Sequence, residues 1–147
     1  MAFFIGRDRE ARRAYGFDEI ALVPGDVTVN PDEVDTSLLF GPVKLDIPFM
    51  ASAMDGVVDV NFAIAMGKLG GLGVLNLDGI NTRYDKPREV VSQIAGAGPE
   101  EATKLVQELY RKPIKEDLIA QRIEEIKAAQ VPCAVSTIPQ NAEKYGP

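Results

Sequence analysis

Residues 47–55 read Ile47-Pro48-Phe49-Met50-Ala51-Ser52-Ala53-Met54-Asp55. The first five are almost wholly apolar, the pattern of a short strand buried on both faces of a parallel sheet. The next four turn small and polar. Downstream, Phe62, Ile64, Ala65, Met66 and Leu69 recur at helical spacing, with Asp59 placed as an N-cap and Gly70-Gly71 as the stop. Leu72-Gly73-Val74-Leu75 then reads as a second buried strand.

The alternation continues toward the C-terminus. A helical region opens near Asp85 with Pro87 in its first turn, breaks at Ala95-Gly96-Ala97-Gly98-Pro99, and resumes through Leu109. A further helix is predicted from Lys115 to Ala129, with Leu118, Ile119, Ile123 and Ile126 as its apolar stripe and Glu124, Glu125 and Lys127 toward solvent. Val131-Pro132-Cys133-Ala134-Val135-Ser136 is a third strand, and Pro139-Gln140-Asn141-Ala142-Glu143 opens another helix. Strands alternating with helices imply right-handed crossovers and a parallel sheet with helices packed on it.

The first 45 or so residues lack this regularity and carry the turn pairs Pro24-Gly25, Asn30-Pro31 and Gly41-Pro42. The expected fold class is therefore α/β: an irregular N-terminal arm over 1–45, then about three βα units over 46–147. A closed (β/α)₈ barrel takes ~250 residues and eight strands, whereas three strands are offered here, so a single domain that stops mid-fold is expected.

Composition narrows the function classes. The chain has 147 residues, 46% hydrophobic and 26% charged, with a net charge of −6, which is ordinary for a globular domain and repels phosphate polymers on average. The one basic cluster, Arg7, Arg9, Arg12 and Arg13, is interleaved with Asp8 and Glu10, as on a solvated or salt-bridged surface, so no nucleic-acid partner is expected. One cysteine and no histidine exclude an internal disulfide, a Cys/His zinc site and a Ser-His-Asp triad. No apolar run reaches the ~20 residues of a membrane helix, so no membrane partner is expected and a cytoplasmic setting fits.

In parallel α/β folds, ligands meet the C-terminal ends of strands. Three segments follow the predicted strands: Ser52–Gly56, Asn76–Gly79 and Ser136–Gln140. Asp55 can serve as a general base or hold a ribose hydroxyl, but Asp-Gly is also a common turn pair, and the turn reading carries more weight. Gly70-Gly71-Leu72-Gly73 precedes its strand, whereas a dinucleotide-binding glycine loop follows one, so it reads as helix stop and strand entry. Cys133 lies within an apolar strand with no neighbouring base and reads as a core cysteine. Met54 is equally an ordinary core residue or an apolar platform for a flat ring.

Several segments together resemble a known family. Phe17-Asp18-Glu19-Ile20-Ala21-Leu22-Val23-Pro24-Gly25 with Glu33-Val34-Asp35, then Ile47 through Asp55, Ala63-Ile64-Ala65-Met66, and Gly70 through Asn76 are similar, in order and spacing, to the opening of IMP dehydrogenases and GMP reductases. Gly6 to Tyr15 and Val74-Leu75-Asn76 most resemble its bacterial IMP-dehydrogenase-related subgroup, as does the absence of CBS regulatory modules between the second and third strands.

The resemblance implies that these residues are the N-terminal portion, about three βα units, of a (β/α)₈ barrel in which a purine nucleotide monophosphate, IMP or GMP, meets NAD or NADP, in a homo-oligomer of four or eight chains. Phe3-Phe4-Ile5 is a candidate for such an interface or, equally, for packing on its own barrel. The resemblance further implies nucleotide-contacting roles for Ser52 and Met54 and a cofactor-pocket position for Asn76, which is often histidine in IMP dehydrogenases. It assigns no catalytic residue here, because the family's cysteine loop lies in the barrel's second half. The 147 residues alone are accordingly expected to be inactive. The alternative from a different class is a small non-catalytic α/β binding or self-association module, since a three-stranded parallel sheet leaves open edges.

Overall fold

The computed structural model describes residues 3–4, 7 and 10–145. The chain divides into two compact units, residues 1–35 and 36–147. In the first, strand β1 (Phe3–Phe4) pairs antiparallel with β2 (Glu10–Ala11). The other described residues of this unit are irregular apart from 3₁₀ turns at Phe17–Glu19 and Pro31–Glu33. The Glu19 carboxylate accepts the Gly16 N–H at 2.9 Å and lies 3.7 Å from the Arg13 guanidinium, which stacks over Tyr15. The interface expected at Phe3-Phe4-Ile5 concerns side chains outside the described residues.

The second unit opens with an antiparallel hairpin, β3 (Leu38–Phe40) and β4 (Val43–Leu45), in the register Leu38↔Leu45. Sequence reading left this stretch irregular. The Gly41-Pro42 pair is in fact a hairpin turn, with Gly41 at φ +57°, a conformation open to glycine at little cost.

The parallel sheet has the order β5-β6-β7, formed by Met50–Ala51, Leu72–Asn76 and Ala134–Ser136. Registers are Met50↔Leu72 and Asn76↔Ser136, so the central β6 carries both pairings. Between β5 and β6 runs α1 (Val60–Lys68), where the Asp59 carboxylate accepts the Phe62 N–H at 2.8 Å, as an N-cap does. The helix stops at Gly70, which adopts φ +86°. Between β6 and β7 lie α2 (Pro87–Ala95), α3 (Pro99–Leu109) and α4 (Glu116–Ala128), and α5 (Pro139–Tyr145) follows β7. Expected and observed elements coincide within a few residues.

The core lies between the sheet and the helices α1 and α4. Val58, Ala63, Leu75, Leu77, Ile119 and Ile126 pack together there, flanked by Ile64, Ile123, Val131 and Cys133. Each large buried aliphatic contributes about 1.5–3 kcal/mol relative to exposure. The α1–β6 approach is close: a methyl group on Gly73 would sit 2.7 Å from the Ala63 Cα. Arg122 is buried on α4, donating to Asn81 O at 3.3 Å and Asp85 O at 2.9 Å and pairing with Glu125 at 3.2 Å, so its charge is met on every side.

Candidate functional site at the strand ends

Parallel pairing brings the C-terminal ends of β5, β6 and β7 to one edge of the sheet. Ser52 and Met54 follow β5, and both are exposed, Met54 at 54%. Asn76 closes β6, half-buried, and its Oδ1 accepts the Asp78 N–H at 3.0 Å. The three residues read from sequence thus lie at or just beyond the C-terminal ends of β5 and β6, the edge where parallel α/β folds bind ligands.

A polar chain links the three ends. Beyond β5, Val57 N–H and Val58 N–H both donate to Met54 O at 2.9 Å, closing a tight turn around Asp55. The Asp55 carboxylate accepts from Asn81 Nδ2 at 3.2 Å and from the Tyr110 hydroxyl at the end of α3. It rests directly on the Gly79 Cα, where any side chain would collide with it. Asp55 is therefore both the turn residue expected and an anchored carboxylate.

Beyond β6, a 3₁₀ turn at Ile80–Thr82 buries Asn81 and Thr82 completely. The Thr82 hydroxyl donates to Leu77 O at 2.7 Å, and Asn81 Nδ2 also donates to Val58 O at 3.2 Å. Asp78 reaches beyond β7, accepting from the Ile138 N–H at 2.8 Å and from Asn141 Nδ2 at 2.6 Å. Arg83 donates to Asp78 O at 3.0 Å and to Lys112 O, and its guanidinium lies 5.5 Å from the Tyr110 ring centre.

Electrostatics follow from these contacts. Burial raises Asp78, but the hydrogen bonds from Asn141 and Ile138 outweigh it, holding the carboxyl below its usual range. Asp59 is likewise raised by burial and lowered further by Arg88, 2.5 Å away, and by the Phe62 N–H, with a net depression. Burial first, and then the Asp55 carboxylate, push the Tyr110 hydroxyl well above its usual range, so it stays a donor. Beside this network, a groove of about 400 Å³ is lined by Asp55, Val57, Asp59, Phe62, Asn81 and Arg88 among others. One buried oxygen in the region, Asn81 Oδ1, has no hydrogen-bond partner among the described residues. Among the described residues, no group of three or more acidic, histidine or cysteine side chains is placed to hold a metal.

Cys133 stands apart. It precedes β7, so the length of that strand, roughly 10 Å, separates it from the ligand-facing edge. Burial pushes its thiol above the usual range, and the Lys127 ammonium only partly offsets this. Sequence reading singled out the Asp55 and Asp78 segments but missed Asn81 and Tyr110. The polar pair Asn81-Thr82, two residues after the strand-end Gly79, was a usable signal. Nothing in the sequence tied Tyr110 to Asp55, since 55 positions separate them.

Residues 14–144 match the model of the IMP dehydrogenase / GMP reductase domain. Over 148 aligned positions the chain is 35% identical to an "uncharacterized oxidoreductase" of Mycolicibacterium smegmatis, covering 97% of this chain and 40% of that one. A Mycobacterium tuberculosis oxidoreductase is 38% identical over the same shares. An inosine-5′-monophosphate dehydrogenase of Methanocaldococcus jannaschii is 42% identical over 73 residues, half of this chain and 15% of that one. The crystal structure of an IMP dehydrogenase/GMP reductase-like protein from Corynebacterium glutamicum superposes with a TM-score of 0.81 at 35% identity, covering 97% of this chain and 40% of that one. The chain thus spans about two fifths of the length of these full-length oxidoreductase relatives.

Proposed function

The chain belongs to the IMP dehydrogenase / GMP reductase family, and on that premise we propose that it supplies the first strand ends of a (β/α)₈ barrel that oxidises or reduces a purine nucleotide at C2. The substrate is IMP or GMP, the redox partner NAD or NADP, and the setting cytoplasmic, in a homo-oligomer of four or eight chains. One observation carries the reading: Ser52, Met54 and Asn76 come to one edge of a parallel sheet, on motifs that match the family.

In this reading the exposed Met54 thioether gives a flat purine ring an apolar surface, and the Ser52 hydroxyl beside it offers both a donor and an acceptor. Asn76 Oδ1 is engaged with Asp78, so its Nδ2 hydrogens are left to donate to the cofactor. A bound nicotinamide supplies hydride transfer. Residues 1–147 bind and orient; no covalent step is assigned to them, because Cys133 lies at the wrong end of its strand with a thiol held protonated. The nucleophile belongs to the remainder of the barrel.

Absorbance at 340 nm tests this, with IMP plus NAD and, separately, GMP plus NADPH, in the whole protein that carries this chain. One of the two pairs should turn over, and residues 1–147 alone should turn over neither. Silence of the whole protein with both pairs would overturn the proposal, and turnover by residues 1–147 alone would overturn the division of labour.

A further inference from the structure

The geometry points to Tyr110 as a positioning residue for the loop after β5, an inference that rests on the purine-nucleotide reading above. The Tyr110 hydroxyl donates to the Asp55 carboxylate, while its ring is held by the Arg83 guanidinium at 5.5 Å. Arg83 is itself fixed to Asp78 O and Lys112 O. The other Asp55 oxygen takes Asn81 Nδ2 at 3.2 Å. One carboxylate is thus held from α3 and from the turn after β6 at once.

Asp55 follows Met54 directly, and Met54 O is tied to Val57 and Val58 within the same turn. Displacing the carboxylate therefore displaces the backbone that presents Met54 and Ser52. The hydroxyl is not needed to build α3: phenylalanine would keep the ring under Arg83 and complete the helix equally well. What the hydroxyl adds is a contact across the strand ends, made by a helix that lies between β6 and β7 in the chain. Tyr110 sets where Met54 stands, and does not itself touch substrate.

The test uses the whole protein, with Tyr110→Phe, Asp55→Asn and the double variant. Hydrogen exchange is followed at residues 53–58, with α4 as the folding control, and IMP and GMP affinities are measured by titration. Both single variants should exchange faster at 53–58 with α4 unchanged, and should weaken binding of the preferred nucleotide by roughly tenfold, the scale of one charge-assisted hydrogen bond. The double variant should be no worse than either single one. If Tyr110→Phe fails to fold, Asp55→Asn carries the same comparison. Unchanged exchange and affinity in Tyr110→Phe, or additive losses in the double variant, overturn the role of Tyr110 alone. A wild-type protein that binds neither IMP nor GMP overturns the purine reading and with it this role.

Discussion

Gly79 shows how one residue governs the candidate site. Its backbone lies at φ −104°, which any residue adopts, so its identity is fixed by space and not by conformation. The Asp55 carboxylate occupies the place of a Cβ. Gly79→Ala must therefore push Asp55 off both Asn81 and Tyr110, and is expected to cost roughly 1–3 kcal/mol, read as a lower urea midpoint with faster exchange at residues 53–58. A neutral substitution would mean that Asp55 is not held there. The Asp-Gly pair at 55–56 was legible in the sequence as a turn, and 76–79 as a segment following a strand. That Asp55 rests on Gly79 was not, because the contact depends on the register of β5 against β6, which residue types do not encode.

Elements were more legible than contacts. Apolar runs at 47–51, 72–75 and 131–136 foretold the three parallel strands, and the stripe of Leu118, Ile119 and Ile126 foretold the buried face of α4. The hairpin at 38–45 escaped because its strands are only three residues long, and the first, Leu38-Leu39-Phe40, is apolar without alternation and exposed throughout. Arg122 on α4 escaped because a buried guanidinium is recognised only through its partners. Two element ends carry a pH dependence. Asp59 caps α1 and Asp78 holds the start of α5, and both carboxyls are depressed below the ordinary value of 3.8. Their stabilisation is present above that value and is lost as pH falls through it toward the depressed folded-state values. Urea midpoints should hold steady from neutral pH to about pH 5 and drop below about pH 4. Asp59→Ala should lose about 1 kcal/mol at neutral pH and show a shallower acid decline. An unaltered decline would assign the acid sensitivity elsewhere.

At the scale of the second unit, the sheet is built to be extended. Each outer strand, β5 and β7, has one strand partner among the described residues, and Met50 and Val135 on them remain 46% and 42% exposed. Open edges of this kind are ready templates for a further strand, which the proposed barrel would supply. The polar chain from Asp55 through Tyr110, Arg83 and Asp78 to Asn141 ties the three strand ends into one platform. The most direct measurement is deuterium uptake at residues 52–58 and 76–83 of the whole protein, with IMP, GMP or UMP added. Protection of both segments by IMP or GMP, with UMP without effect, is the predicted result. Equal uptake under all conditions would contradict the assignment of these strand ends to a purine nucleotide.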